Sequence, residues 1–420
     1  MGRAFNSFYN CIPIKMRTIL VSAYACEPYK GSEQTVGWNI VLELAKNNIV
    51  HVITRANNQE PIEKFLKEKK KTNLKFHYYD TPKIFLSLKN KEKGVYLYYI
   101  LWQIGIISLA SKLKKLHHFD YSIHLTFGNV WLPTFLPFIN IPFIYGPLGG
   151  GEGIPDTFIN KLPIKQRIIQ RFRKLLKITA CINPLFLYTS SKCKAILCRT
   201  KDTANLFPEK YQSRINLLED GAIEPEIFDY HASHKKQYEV KIISTSRLIA
   251  FKNVISIVEA LEYVPSSYKI NCIIIGSGSE KLKIQKLSTE SSHHIIFKER
   301  LSRNDVLQEL SNSDIFISPS LRDACNLSLL EAMAVGLPVI CLNWSGMAIS
   351  TDDSCAIRLP VTNPEQMPKD MAAAIIKLIE NPELRKRMGD AGRKRIKEVF
   401  NWEAKGLFME RLFAELDSKR

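Results

Sequence analysis

Short apolar runs alternate with longer stretches of helical periodicity through the first half of the chain. Each run predicts a buried strand, because its length and its content of Val, Ile, Tyr and Phe suit a strand. The predicted strands are 18–23, 50–54, 121–125, 143–145, 196–199 and 215–218. Strands that alternate with helices are typical of a doubly wound α/β sheet.

A second series of the same kind begins near residue 240. Its predicted strands are 241–245, 271–275, 295–297, 315–318 and 338–341. The segment 221–239 between the two series is rich in Pro, Asp and His, which favours a linker. A chain of 420 residues is also too long for one ordinary core. We therefore predict an α/β protein of two Rossmann-like, doubly wound lobes.

The chain is strongly basic. Its 59 Lys and Arg residues against 41 Asp and Glu give a net charge of +18, which favours anionic partners such as nucleotides, acidic polysaccharides or phospholipid surfaces. A hydrophobic fraction of 45% and a charged fraction of 24% exclude a disordered chain. The charge is dispersed and no nucleic-acid-binding motif is present, so nucleic acid is not expected as a partner.

The cysteine pattern and the N-terminus bear on location. Nine cysteines without a CxxC pair indicate free thiols and a reducing compartment. The start lacks an apolar signal region, and residues 1–15 form an extension before the first strand. The apolar stretch 95–110 is shorter than the ~20 residues that a bilayer needs, so it predicts a core helix. We expect a cytoplasmic protein, with a peripheral position on the inner face of the cytoplasmic membrane as an open alternative.

Two basic residues follow the first strand of the second series. Arg247 and Lys252 are predicted to lie in a loop at the carboxyl edge of the sheet, where ligands bind. A guanidinium and an ammonium group suit a diphosphate. The next strand ends in a turn at Gly276, where a ligand can approach the backbone closely. Lys298 ends the strand after that, where backbone groups are expected to pair with a nucleobase.

The segment from Asp323 to Glu331 is the strongest functional signal. Asp323 precedes a predicted helix, and Glu331 lies inside it. The amides around Asn326, Leu327 and Ser328 are expected to form a helix N-terminus that binds phosphate. Glu331 is expected to accept hydrogen bonds from a ribose, and Asp323 from the transferred sugar. An amphipathic helix with an acidic start and no ligand is the alternative.

These motifs resemble those of glycosyltransferase family 4, the group 1 glycosyltransferases. Arg247 and Lys252 fit the family's R-x4-K phosphate clamp, and Asp323 with Glu331 fits its E-x7-E motif. Asp323 departs from the usual glutamate, which shortens its reach by one methylene. The first half adds matching segments at 25–33, 124–128 and 145–152. The resemblance covers about residues 17–415.

The resemblance implies a GT-B fold, in which two Rossmann-like lobes face a central cleft. The expected domains are an acceptor-binding lobe over 1–225, a nucleotide-sugar-binding lobe over 226–398 and a helix over 399–420. The last helix is expected to cross back to the first lobe.

The resemblance also implies a retaining transfer of a hexose-type sugar. The donor would be a UDP or GDP sugar, and the acceptor a glycan or lipid-linked glycan in cell-surface polysaccharide synthesis. The clamp residues and Asp323 are expected to act in catalysis with His124, which matches a histidine that the family places near the reacting sugar. Gly31 is expected against the phosphates and Glu152 against the acceptor. No cofactor or metal is expected, because the sequence lacks an Asp-x-Asp motif to hold Mg²⁺.

The stretch 164–177 has apolar and basic residues on opposite sides of a helical wheel. The apolar side includes Ile164, Ile168 and Phe172, and the basic side includes Arg171 and Lys174. This composition is typical of a helix on an anionic membrane surface. An ordinary amphipathic helix that packs its apolar side on the core is the alternative.

Two further functions are compatible with the sequence. A sugar-nucleotide epimerase of the same fold would convert the donor without an acceptor. A non-catalytic basic protein that binds membranes or nucleic acid would show no saturable binding of nucleoside diphosphates.

Overall fold

The structure is a computed structural model. It describes residues 15–28, 30–31, 33–69, 72–82, 94–179, 182–232 and 239–419. Most of the N-terminal extension and residues 233–238 of the predicted linker lie outside these ranges. The described chain forms two α/β lobes, and each lobe is built on one parallel sheet.

The first lobe contains a seven-stranded sheet of order β3-β2-β1-β4-β5-β6-β7. Its strands are β1 (Thr18–Ser22), β2 (Ile49–Arg55), β3 (Leu74–Tyr79), β4 (Tyr121–His124), β5 (Phe143–Leu148), β6 (Cys193–Cys198) and β7 (Ile215–Leu217). Its helices are α1 (Glu33–Leu44), α2 (Gln59–Lys69), α3 (Val95–Leu116), α4 (Asp156–Ile159), α5 (Ile164–Thr179), α6 (Pro184–Lys192) and α7 (Lys201–Ala204).

The second lobe contains a six-stranded sheet of order β10-β9-β8-β11-β12-β13. Its strands are β8 (Val240–Thr245), β9 (Ile270–Ile275), β10 (His294–Lys298), β11 (Ile315–Ser318), β12 (Val339–Leu342) and β13 (Ala356–Leu359). Its helices are α8 (Ile255–Leu261), α9 (Lys281–Ser288), α10 (Arg303–Ser311), α11 (Leu327–Val335), α12 (Met347–Ser350), α13 (Met367–Glu380) and α14 (Pro382–Val399). The chain ends with α15 (Trp402–Ser418).

The strands predicted from apolar runs are all present, with shifted ends. Two strands were missed, β3 and β13. Both are at a sheet edge, and residues in each are only partly buried. An edge strand has a neighbour on one side only and tolerates polar residues, so its sequence lacks the continuous apolar run of a central parallel strand.

Each lobe has its own apolar core, and the chain passes from one core to the other between Leu218 and Ile223. The core of the second lobe also includes Ile154, Phe158 and Leu162, from the segment that follows β5. This segment therefore bridges the lobes, although it belongs to the first half of the sequence.

The last helix, α15, crosses back to the first lobe, as predicted. Its residues Met409, Leu412 and Phe413 are buried in one cluster with the β1 residues Ile19 and Val21. At the polar side of this contact, the buried Arg17 forms ion pairs with Glu410 at 3.2 Å and Asp417 at 2.9 Å. The two lobes are thus connected at the linker and again by this helix.

Helix α3 packs in the first lobe's core through Tyr98, Tyr99 and Trp102, as predicted for the apolar stretch 95–110. In the part of the chain that the structure describes, no helix combines the length and the apolar character needed to span a bilayer.

Candidate active site

The predicted phosphate clamp and Asp323 follow neighbouring strands. β8 pairs with β11 in parallel, with Ile242 opposite Ile315. The chain order reverses between these two strands, and such a reversal opens a ligand crevice at the carboxyl edge of the sheet. The loop after β8 carries Arg247 and Lys252, and the loop after β11 carries Asp323. The strand order therefore brings residues more than seventy positions apart to one point.

Lys252 and Asp323 form a close ion pair at this crevice. The Lys252 Nζ lies 2.8 Å from Oδ1 and 2.6 Å from Oδ2 of Asp323, and the two side chains are 12% and 14% exposed. The carboxylate predicted to contact the transferred sugar thus also orients the clamp lysine. Because Lys252 has three donors, it can keep this pair and still contact a phosphate.

Arg247 is exposed at the same edge, and Arg322 joins it. The Arg322 guanidinium lies 4.3 Å from the centre of the Phe251 ring. Burial lowers the pKa of Arg322 to about 10, and nearby Arg173 and Arg247 act in the same direction. The cationic cluster is therefore larger than predicted. The only sequence signal for Arg322 was its position next to Asp323.

Helix α11 begins at the crevice, as predicted, and Asn326 is its N-cap. The Asn326 side chain accepts a hydrogen bond from the Leu329 N–H at 3.2 Å and donates one to the Ser318 hydroxyl at 2.7 Å. Asn326 therefore fixes the start of the helix through both the oxygen and the nitrogen of its side-chain amide. The amides of Leu327 and Ser328 belong to the first turn and have no intrahelical acceptor by position, so they can bind an anion.

Glu331 lies one turn further along α11 and is held by Arg303. Its Oε1 is 3.2 Å from Arg303 Nε, and Arg303 also contacts Glu224 at 2.6 Å. Burial raises the pKa of Glu331, and Arg303 opposes that rise. Arg303, at the start of α10, was not predicted. In the sequence it is one of many basic residues that begin or flank helices.

Gly276 and Lys298 have structural partners in this conformation. Gly276 has a φ of +148°, and a side chain there would collide with the carbonyl oxygen of Ser246. The glycine is thus required by the packing of two loops, whatever the ligand. The Lys298 carbonyl accepts from the Gly276 N–H at 3.0 Å, and its ammonium pairs with Glu309 at 2.7 Å.

The first lobe contributes a second charged group at the cleft. Glu33 begins α1, and its carboxylate accepts from the Phe127 N–H at 2.6 Å. Arg199 pairs with Asp220 at 2.8 Å. Burial raises the pKa of Glu33, and Arg199 opposes this effect.

Gly31 lies just before α1, and nothing lies within 4 Å of the position that its Cβ would take. The fold therefore leaves space at Gly31, and its contact with phosphates stays a prediction.

His124 ends β4 but is only 1% exposed. Its Nε2 lies 3.4 Å from the Tyr99 hydroxyl, and its ring lies 5.7 Å from that of Tyr145. Burial lowers the pKa of His124 to about 4. The imidazole is therefore neutral near pH 7, and its expected contact with the reacting sugar stays a prediction.

This buried histidine predicts an acid-sensitive fold. The unfolded chain protonates His124 near its ordinary pKa of 6.5, whereas the folded chain does so only near pH 4. Stability from His124 is thus complete above pH 6.5 and is lost as the pH falls toward 4, by roughly 3 kcal/mol. Urea unfolding at pH 7 and pH 4.5 should show a smaller pH-dependent loss for His124→Gln than for the wild type. An equal loss in both proteins would contradict the assignment.

Glu152 is buried and fully engaged. One oxygen accepts from the Gly150 N–H at 2.8 Å, and the other accepts from the hydroxyls of Thr200 at 2.9 Å and Thr203 at 2.8 Å. Burial alone would raise the pKa of Glu152, but these hydrogen bonds outweigh it and lower the pKa. Its clear role is to anchor the glycine turn, and its predicted contact with an acceptor stays a prediction.

Glu152 and Arg173 line two clefts between the lobes. The first, of about 490 Å³, is also lined by Trp344, whose Nε1 donates to the carbonyl of Gly153 at 3.0 Å. The second, of about 330 Å³, reaches from Arg199 to Ala324. Within the described ranges, no group of three His, Cys, Asp or Glu side chains is arranged to hold a metal ion.

The fold and the position of these residues define a two-lobed GT-B protein with a charged cleft between its lobes. Solved structures share this architecture. Sucrose-phosphate synthase from Thermosynechococcus elongatus aligns with a TM-score of 0.63 at 14% identity, over 96% of this chain and 100% of that one. A structure from Anabaena described as HepE in complex with UDP and glucose aligns with a TM-score of 0.55 at 13% identity, over 95% and 100% of the two chains.

Residues 226–395 match the family described as glycosyl transferases group 1. A GDP-mannose-dependent mannosyltransferase acting on a monoacylated phosphatidylinositol monomannoside, from Corynebacterium glutamicum, is 27% identical over 186 residues. That alignment covers 42% of this chain and 47% of the relative. The chain thus spans about half the length of these curated relatives. Over residues 226–395, which form most of the second lobe, the chain is therefore similar to the group 1 glycosyltransferases.

Proposed function

We propose that the chain transfers a hexose-type sugar from a nucleoside-diphosphate sugar to a glycan or lipid-linked acceptor, with retention at the anomeric carbon. The observation that carries the proposal is the ion pair of Lys252 with Asp323 at the β8–β11 reversal, beside the N-terminus of α11. This arrangement offers positive charge to a diphosphate and a carboxylate to the sugar attached to it.

The leaving diphosphate is the group that needs most stabilisation. Arg247, Lys252 and the first-turn amides of α11 can surround it with fixed positive charge, and Arg322 adds to the field. Fixed donors aimed at a developing anion stabilise a transition state more than a ground state. These groups supply that stabilisation without a metal ion, which is why we propose a metal-independent enzyme.

Two carboxylates in the second lobe suit the sugar hydroxyls of the donor. Glu331 is oriented by Arg303 and is proposed to accept hydrogen bonds from the ribose. Asp323 is oriented by Lys252 and is proposed to accept from the transferred hexose. Since the Arg303 and Lys252 contacts occupy part of each carboxylate only, both retain lone pairs for a ligand.

The acceptor is proposed to enter from the first lobe. Its hydroxyl forms a bond to the anomeric carbon on the face from which the diphosphate departs, and its proton passes to a phosphate oxygen. The carbon–oxygen bond to the phosphate breaks, and the nucleoside diphosphate leaves. The cleft lined by Trp344, Arg173 and Glu152 suits a glycan, because an aromatic surface and charged side chains are common partners of sugar rings and hydroxyls.

The donors of similar proteins support a nucleotide-sugar donor. The mannosyltransferase is described as GDP-mannose-dependent, and the Anabaena structure contains UDP and glucose. We propose UDP or GDP as the nucleotide and cell-surface polysaccharide synthesis as the process. A cytoplasmic location is part of the same proposal, because nucleotide sugars and free thiols are both found there.

A thermal-shift screen with UDP, GDP and common nucleotide sugars tests the proposal. A ligand at about a hundred times its Kd stabilises the folded state by ~2.7 kcal/mol, so binding is visible as a higher Tm. We expect a shift with UDP or GDP that is lost in Arg247→Ala. The control is Arg387→Ala, an exposed arginine on α14 that should keep the shift. No shift with any nucleotide would contradict the proposal. Conversion of the donor to an isomer without release of nucleoside diphosphate would instead indicate an epimerase.

A further inference from the structure

Helix α5 is oriented with its apolar side outward. Ile164 is 71% exposed, Ile168 is 62% exposed and Phe172 is 58% exposed. Its polar side turns inward, where Gln170 is buried and Arg173 is partly buried. An amphipathic helix that only completed a core would have the opposite orientation. The alternative that its apolar side packs on the core is therefore wrong.

The exposed apolar side of α5 is continuous and is mixed with positive charge. Ile169 and Leu175 extend it at 54% and 57% exposure, and Ile182 just beyond the helix is 75% exposed. Lys165 and Arg171 are exposed on the same helix, and no acidic residue occurs among its 16 residues. A contiguous apolar patch on a soluble domain marks a contact with a partner.

We propose that α5 docks the protein on an anionic phospholipid surface, with its outward apolar side among the acyl chains and its exposed cations at the headgroups. Charge complementarity selects this partner. A second copy of the chain would bring Lys165 and Arg171 of one helix against those of the other, and like charges disfavour such a contact. Anionic headgroups instead attract each such cation, which strengthens membrane binding about fivefold for each one.

Docking through α5 places the cleft close to the lipid. The partly buried Arg173 and Lys177 on the inward side, together with the exposed Lys174, line the cleft that also contains Glu152 and Trp344. The helix is therefore the wall between this cleft and the membrane, and a helix is only about 10 Å thick. An acceptor anchored in the same membrane fits this geometry. That last step rests on the proposed transfer activity, whereas docking itself does not.

Cosedimentation with vesicles tests the docking. Wild-type protein should pellet at low salt with vesicles of equal parts phosphatidylglycerol and phosphatidylcholine, and much less with phosphatidylcholine alone. Two sets of exposed residues are replaced separately. The apolar set combines Ile168→Gln, Phe172→Gln and Leu175→Gln. The basic set combines Lys165→Gln and Arg171→Gln. We expect the apolar set to lower the partition coefficient more than about tenfold, and the basic set about thirtyfold at low salt.

The matched control combines Leu282→Gln with Lys386→Gln and Arg387→Gln. These residues are exposed on α9 and α14, so the control removes apolar surface and charge from helices other than α5, and it should bind as the wild type does. Equal vesicle binding by the wild type and the apolar set would overturn the proposal. The proposal would also be overturned if the wild type were a dimer in sedimentation velocity and the apolar set were a monomer, because α5 would then contact a second copy of the chain.

The same variants separate docking from the proposed reaction. Their thermal shift with UDP or GDP should equal that of the wild type, which also shows that they fold. Vesicle binding without any nucleotide-induced shift would support the docking and contradict the proposed function. A nucleotide-induced shift without vesicle binding would support the proposed function and contradict the docking.

Discussion

Replacing Lys252 with alanine is expected to lower the rate of sugar transfer about 10²–10³-fold, the usual cost of removing one donor that stabilises a developing oxyanion. The change removes positive charge from the leaving diphosphate and leaves the partly buried Asp323 carboxylate without its ion pair. The measurement is the release of nucleoside diphosphate at saturating donor. Because the lost interaction is strongest in the transition state, kcat should fall more than KM rises.

Two comparisons separate this loss from simple unfolding. Lys281→Ala removes a lysine that pairs with Glu299 at 2.6 Å outside the cleft, and its rate should stay within a few-fold of the wild type. A double-mutant cycle of Lys252→Ala with Asp323→Asn measures the coupling of the pair. If Lys252→Ala kept near-wild-type kcat, the clamp would have no role in the chemistry.

Replacing Glu331 with alanine is expected to weaken binding of the nucleoside diphosphate by about a hundredfold or more. A carboxylate that accepts from two ribose hydroxyls contributes about 1.5–3 kcal/mol for each hydrogen bond, and each 1.4 kcal/mol is tenfold in Kd. The variant also leaves Arg303 with Glu224 as its remaining partner. Calorimetric titration with UDP or GDP, whichever binds the wild type, measures the change.

A modified ligand makes the Glu331 test specific. The 2′-deoxy nucleotide should bind the wild type more weakly than the ribonucleotide, and Glu331→Ala should bind both alike. Glu398→Ala is the matched control, because Glu398 pairs with Lys394 on α14, outside the predicted donor site, and this variant should still discriminate between the two nucleotides. If Glu331→Ala discriminated between the two nucleotides as well as the wild type does, Glu331 would not bind the ribose.

The position of the clamp could be predicted because it depends on local pattern and on strand order. An apolar run followed by Arg247 indicates a βα loop, and adjacent parallel strands deliver their loops to one edge. Arg322 and Arg303 could not be found in this way. Their sequence neighbourhoods are ordinary, and only the packing of α10 beside α11, and of Phe251 beneath Arg322, brings them to the site.

Gly276 illustrates that a glycine turn predicted from sequence can be required for a different reason than the predicted one. Its position after a strand predicted a close approach of a ligand to the backbone. The structure shows that Gly276 already has a close neighbour, the Ser246 carbonyl, whose loop also contains Arg247. A glycine after a strand indicates that another group approaches the backbone closely. It does not indicate whether that group is a ligand or another loop, because the neighbouring loop is distant along the chain.

The sequence by itself determined the α/β class, the two lobes and the amphipathic character of residues 164–177, because these follow from periodicity and from short-range chemistry. Only the tertiary structure decided that Lys252 pairs with Asp323, that His124 is buried and that α5 turns its apolar side outward. Hydrophobic periodicity identifies two sides of a helix. Which side faces the protein depends on what the remaining chain offers to pack against it, and here that neighbour is a charged cleft.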